Sequence, residues 1–396
     1  MDTIWIQQFL LGLGKLFLHP LFYYSLLLCL IMGYRRVKKE RSDFKIRVES
    51  GYFELRNVWK MGLLIGLALS VISIVAGMAI PFAAVLVVGA VTVLFSLTLQ
   101  TRLLSPAYTI GASIFILFFL YGHKLDIPFL GKAVEDMPSS LSPALAAVMG
   151  LMLVAEGILI KRNAVKGTSP ELITSNRGMT VGSHVSSRLW LVPMFLFVPG
   201  GELSAPFEWW PVFHIAGDMH VAPLFLPFLI GFSQHVHGRL PEESIRMTAN
   251  RVFILSGFVL LIAIASIWLP ILTIVAAAVA VLGRESIHYF GKIAEQHLPF
   301  YFSKREHGVL ILAVMPDSPA EKMALEVGEL ITKVNGTPVQ TEHQLYEALQ
   351  HNRAYCKLEV LDTNGQIRFV QRALFEGEHY ELGILFLPEE IRASTA

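Results

Sequence analysis

The chain has 396 residues, of which 54% are hydrophobic and only 16% charged. Soluble domains carry about 25% charged residues, so the composition excludes an ordinary soluble protein, and its apolar content excludes intrinsic disorder. Two cysteines exclude a disulfide scaffold, and 32 basic against 31 acidic residues speak against a nucleic-acid binder.

Apolar runs that approach or reach the roughly 20 residues needed to span a bilayer recur from the start. They cover 16–34, 61–80, 82–101, 103–122, 141–160 and 252–269. Weaker runs at 189–200, 221–233 and 270–283 are short and carry or begin with proline, so they read as spans or as re-entrant, irregular segments. The first run does not read as a cleavable signal, because Lys15 alone precedes it while Arg35, Arg36, Lys38 and Lys39 follow at once. Threading the segments from an outside N-terminus puts eighteen basic residues in inside loops and three (Lys15, Lys124, Lys132) outside. The weak runs at 189–200 and 221–233 form a pair, so topology is the same with or without them, and about 7–9 spans are predicted. The organisation expected is a polytopic helical membrane domain over 1–283, a linker over 284–299 and a cytoplasmic domain over 300–396. Basic cytoplasmic loops are expected at 35–60 and 161–188. The first of these reads as a topology anchor at the lipid surface or as a docking surface for a partner.

Glu156 is the clearest acid within an apolar run. Its nearness to Lys161 and Arg162 predicts snorkelling to the inner interface and pairing with them. The stretch 206–211, Pro-Phe-Glu-Trp-Trp-Pro, reads as an interfacial anchor, or secondly as a contact for a partner.

From about residue 300, charges become frequent and apolar residues alternate. Residues 308–339 resemble a PDZ domain of the bacterial type. Ser318-Pro319-Ala320 opens a short helix, a turn follows at Gly328-Glu329, and a strand ends in Val334-Asn335-Gly336. Met323-Ala324-Leu325 and Gly328-Glu329 stand where Ala-Gly-Leu and Gly-Asp are usual. The fold class expected is therefore an α-helical membrane domain followed by a small α/β PDZ-like domain. Such domains bind peptides by adding a strand between a sheet edge and a helix. The closing stretch 379–386 looks like the circularly permuted arrangement, with Leu382, Gly383 and Ile384 as groove loop and strand and with Leu345 and Leu349 lining the facing helix. The alternative is a closing core strand whose groove is unused.

Peptidase chemistry finds no support in the motifs. There is no His-Glu-x-x-His pair, and Gly231-Phe232-Ser233-Gln234 lacks the second glycine of an intramembrane serine-protease motif. His235 and His237 follow that run while Asp218 and His220 precede it, which predicts opposite ends of one segment rather than a metal site. No catalytic residue, metal ligand or cofactor is expected. Cys29 and Cys356 fall in different domains, so no disulfide is expected between them.

Several runs across the chain together resemble the MinJ family of cell-division topological determinants. They include Leu18-His19-Pro20-Leu21-Phe22, Gly51-Tyr52-Phe53-Glu54-Leu55-Arg56, Leu103-Leu104-Ser105-Pro106-Ala107-Tyr108 and Lys166-Gly167-Thr168-Ser169-Pro170, with the Trp-Trp run and the PDZ tail. The resemblance implies a non-enzymatic multi-pass membrane adaptor at septum and poles. It would connect a DivIVA-like scaffold to the ATPase MinD and thereby to the septum inhibitor MinC, with contacts to other divisome membrane proteins. A PDZ-regulated membrane peptidase and a transporter subunit are the alternatives.

Overall fold

The computed structural model describes residues 2–123, 143–175, 177–203, 210, 212, 220–351, 355–373 and 382–388. Lys124, Lys132, Asp218, Trp209 and residues 379–381, singled out above, lie outside that set. The apolar runs are helices α1 (Asp2–Leu18), α2 (Pro20–Phe44), α4 (Lys60–Ala76), α5 (Phe82–Ser96), α6 (Pro106–His123), α7 (Pro143–Leu159), α8 (Pro241–Ala265) and α9 (Leu272–Gln296), with a short α3 (Phe53–Asn57) before α4. Pro20 cannot donate to the preceding turn, and His19 caps the new helix by accepting from the Leu21 N–H, so α1 and α2 meet at a 42° bend. Among the described residues five helical segments are long and apolar enough to cross a membrane, or six when the bent pair is one span. The helix α5, at 15 residues, is shorter. Leu64, Val71 and Val75 on α4, Phe118 and Phe119 on α6, and Phe258 and Leu261 on α8 are exposed apolar side chains, as an acyl-chain contact surface requires. The helix α7 sits at the centre, buried at nearly every position from Ala144 to Leu159.

Of the three weak runs, 270–283 opens α9, whereas those at 189–200 and 221–233 are not helices. They are the long strands β2 (Thr180–Leu203) and β3 (Val221–Val236), paired antiparallel from His184↔Val236 to Pro199↔Val221, with β1 (Ser169–Thr174) extending the sheet at its basal end. The prolines that interrupt these runs mark the edges of the ribbon. Pro193 faces Pro227, and neither has an N–H, so this is a non-hydrogen-bonded pair and every second residue from it turns its N–H outward. Pro193, Pro199, Pro223 and Pro227 all fall on that phase, where no ladder bond is lost. The other outward N–H groups of β2 find partners in neighbouring elements. Leu191 donates to Val58 O at 3.2 Å, Phe195 to Ser70 Oγ at 2.9 Å and Phe197 to Met78 O at 3.0 Å. Gly62 and Gly66 let α4 lie directly on this edge, since a Cβ at either would stand 2.0 or 2.1 Å from the carbonyl oxygens of Leu191 and Pro193. On the far edge, the 3-10 turn Thr101–Leu104 approaches Gly231, and the Thr101 hydroxyl donates to Phe232 O at 2.8 Å.

Trp210 also departs from expectation. It is buried, donates to Ile74 O at the end of α4 at 2.9 Å, and packs edge-on to Trp5 and Phe197, so it closes the chain's own aromatic cluster.

Glu156 does not reach back to Lys161 or Arg162. Its carboxylate takes Arg284 Nε and Nη2 of α9 at 3.0 Å and the Ser105 hydroxyl before α6 at 2.6 Å. Three helices are thereby tied at one buried point. A second buried set joins Arg188 of β2 to Glu54 of α3 and Asn163, each at 2.9 Å. Removing one partner of such a pair leaves an uncompensated charge. Arg284→Met or Glu156→Gln alone should each cost about 3–5 kcal/mol, and the double variant should regain most of it. Unfolding in detergent micelles, run as a double-mutant cycle, measures this.

Candidate functional site

The C-terminal residues build a compact domain from β4 (Val309–Leu310), β5 (Ala313–Val314), α10 (Pro319–Lys322), β6 (Leu330–Val334), β7 (Thr337–Pro338), α11 (Glu342–His351), β8 (Tyr355–Leu361), β9 (Ile367–Ala373) and β10 (Ile384–Leu385). Sheet order is β4-β6-β8-β9 with β7 on β6, and a separate pair β5-β10. Local chemistry explains the turns. Ser318 Oγ caps α10 by accepting from the Glu321 N–H at 3.2 Å, and Asn335-Gly336, both at positive φ, make the two-residue hairpin between β6 and β7. The Gly328-Glu329 variation has a structural use: buried Glu329 accepts two bonds from Arg368 of β9, at 2.8 and 2.6 Å. Ala324, where the usual pattern has glycine, holds a φ of +53°.

Leu382, Ile384, Leu345 and Leu349 do come together, but inside one apolar cluster, and none exposes more than 5% of its surface. They form the floor beneath the groove. Gly383 has a φ of +76°, and a Cβ there would stand 2.3 Å from Ser318 Cβ, so it serves a tight turn against α10. Its carbonyl accepts from the Met315 N–H and that of Leu385 from the Leu312 N–H, both at 2.8 Å, so these residues bond back to β5. Alternation turns the backbone groups of Ile384 and Phe386 to the other edge, beside α11. Among the described residues no backbone hydrogen bond closes that edge. The open side of α11 borders a cleft of about 690 Å³ lined by Glu342, His343, Tyr346, Glu347 and Gln350, with Pro388 opposite. These are the side chains an added strand would meet, and two of them are carboxylates. The 3.6-residue period separates this face from Leu345, Ala348 and Leu349, the core face of the same helix.

The domain is seated on the helical body. Residues 284–296 of the expected linker are the last turns of α9, and the chain crosses directly to Phe302. The Gly182 N–H at the base of β2 donates to Phe302 O at 2.8 Å, and the Tyr301 N–H donates to His237 O at 2.8 Å. Leu385 and Ala313 pack on Val48, Phe44 and Ile46 from the basic loop. Buried Glu40 shapes that loop, accepting from the Val48 N–H at 2.8 Å, Ser169 Oγ at 2.7 Å and Arg36 Nε at 3.0 Å. Part of the first basic loop is therefore a docking surface for the chain's own C-terminal domain.

His184 lies wholly buried at this seat. Its Nε2 bonds Leu312 O at 2.9 Å and its Nδ1 the Thr168 hydroxyl at 3.2 Å. Burial holds its pKa down to about 4, against a smaller upward pull from the bond to Leu312. His235 and His237 flank the same basal end. No cluster of three or more metal-ligating side chains occurs among the described residues.

A helical body with several apolar helices that could span a membrane, bearing a PDZ domain, is the class of protein these features define. A family model described as PDZ domain matches residues 310–361. The chain is 42% identical over 392 residues, 98% of each chain, to the Bacillus subtilis protein named cell division topological determinant MinJ. It is 22% identical over 381 residues, 93% of this chain and 95% of the relative, to the Lacticaseibacillus paracasei protein named probable cell division topological determinant MinJ. The chain belongs to the MinJ family of cell-division topological determinants.

Two outcomes follow from the site. Tyr346→Ala should leave the tail folded yet weaken capture of a basic peptide from a display library, whereas Leu345→Ala, at the buried floor, should destabilise the domain by about 2–5 kcal/mol. Calorimetric binding and thermal unfolding separate the two. For His184 the folded pKa lies below the free value, so the neutral ring favours the seat above about pH 6.5. That stability is lost as pH falls toward 4. Between pH 7 and 5 the loss should reach roughly 2 kcal/mol, and His184→Gln should flatten it. Hydrogen exchange at the Gly182 amide reads this directly.

Proposed function

We propose that the chain is a membrane-bound adaptor for division-site selection, holding a DivIVA-like scaffold and MinD, and through MinD the inhibitor MinC, at septum and poles. The observation that carries this reading is the match, over 98% of each chain, to a relative named cell division topological determinant, across helical body and PDZ domain alike. The open strand edge beside α11 supports protein binding rather than bond cleavage as the task of the tail. An adaptor acts by raising local concentration on one surface, which needs a fixed platform and no reaction chemistry.

In this reading α1–α2, α4, α5, α6, α7, α8 and α9 make seven crossings, the ribbon enters and leaves from one side, and the tail lies in the cytoplasm. The excess of basic residues in the loops assigned inside supports that topology. A reporter active only in the cytoplasm should work when fused after Ala396, and one active only outside should work at Pro138. Cells lacking the protein should show delocalised MinD with misplaced septa, filaments or minicells under fluorescence microscopy. Restoring residues 1–299 alone tests whether the tail is needed. Normal polar placement of MinD in the deletion strain would remove the adaptor role.

A further inference from the structure

We propose that a basic cavity at the PDZ-bearing end of the helical body binds a phosphate-bearing anion, either the headgroup of an anionic phospholipid or a soluble phosphate ester of the same chemistry. The cavity measures about 570 Å³, within the range of small-molecule sites. Arg102 from the 3-10 turn, Arg284, His288 and Lys292 from α9, His235 from β3 and His237 just after it line the cavity.

The acids around it are already engaged. Glu295, the one carboxylate in the lining, accepts from the His237 and Gly238 N–H groups at 3.1 and 2.9 Å and from Ser244 Oγ at 2.9 Å. Glu156 is held by Arg284 and Ser105. Glu285 meets Arg102 only at 3.4 Å while accepting from the Tyr108 hydroxyl at 2.7 Å, and its side chain is 49% exposed. A phosphate could therefore take over Arg102 without breaking a buried pair. Lys292 has no ion-pair partner among the described residues. Arg and Lys converging from different elements make a site for a phosphate group.

A second observation points to a ligand that also carries a hydroxyl. The Gln234 carbonyl oxygen is buried without a hydrogen-bond partner, while its amide nitrogen donates to Ser244 Oγ at 2.9 Å. Gln234 lines the same cavity, so a hydroxyl on the bound molecule would satisfy it. Depth agrees with lipid access. Arg284 stands about 18 Å along α9 from Leu272 and Lys292 about 30 Å, so with Leu272 at one face of a roughly 30 Å hydrocarbon layer Lys292 reaches the other.

The test uses the full chain. Retention of phosphatidylglycerol against phosphatidylcholine is read by native mass spectrometry. In parallel, glycerol 3-phosphate is titrated against the chain in phosphatidylcholine nanodiscs, read by thermal unfolding. Lys292→Gln, at an exposed position, should weaken binding about fivefold. Gly291→Phe should abolish it by filling the cavity, since a Cβ at Gly291 meets nothing within 4 Å and leaves the helix unhindered. Lys161→Gln, an exposed base outside the cavity, should change nothing. Retention of phosphatidylglycerol with that variant pattern supports a lipid headgroup. Stabilisation by glycerol 3-phosphate with the same pattern, without lipid retention, supports the same site with a soluble ligand. Binding of neither probe, equal retention of both lipids without stabilisation by glycerol 3-phosphate, or equal weakening by Lys161→Gln would overturn the proposal. If Gly291→Phe fails to fold, Lys292→Gln against Lys161→Gln decides.

Discussion

Backbone hydrogen bonding inside an apolar body is the constraint on which the rest of this structure depends. A helix satisfies its own N–H and C=O groups, but a two-stranded ribbon has two open edges, and each unpaired group there costs several kcal/mol away from water. The chain meets this in two ways on the same strands. Prolines occupy outward positions at 193, 199, 223 and 227, removing donors that would have no ladder partner. Val58, Ser70 and Met78 accept three of the donors that remain on β2. The close approach this needs explains Gly62 and Gly66 on α4, positions where any side chain would push helix and ribbon apart.

The ribbon in turn sets where the C-terminal domain sits. Its basal end carries Gly182 and His184, which bond Phe302 and Leu312, and pairs with β1, whose Ser169 reaches Glu40. Glu40 folds the basic loop so that Val48 meets Leu385. One continuous set of contacts thus runs from the core of the helical body to the back of the β5–β10 pair. The groove edge of β10 faces the other way. A bound partner would then be held at a defined orientation to the helical body rather than on a free tether, which raises the effective concentration of anything bound to the same face.

Buried ionic groups serve a related purpose. Glu156–Arg284 and Glu54–Arg188 each join elements distant in sequence, and neither pair is detectable from local spacing. Lys161 and Arg162 were the near bases for Glu156, yet α7 turns its carboxylate inward, away from them. A carboxylate in an apolar setting goes to the partner that is also desolvated, because the attraction is strongest there.

Apolar run length by itself determined a body of apolar helices long enough to span a membrane, because burial patterns repeat at the period of the element that carries them, and the ordered motifs from 308 to 339 determined the PDZ domain. The turn chemistry at Ser318, Asn335 and Gly336 was equally legible, since capping and positive φ are local demands. Only the tertiary structure decided that residues 189–200 and 221–233 are strands, because a short proline-bearing apolar run has no period of its own and takes its form from what covers its edges. It also decided that Leu345 and Leu349 floor the groove while Tyr346 lines it, since the rotation of α11 is set by packing on β6 and β10 rather than by the helix alone.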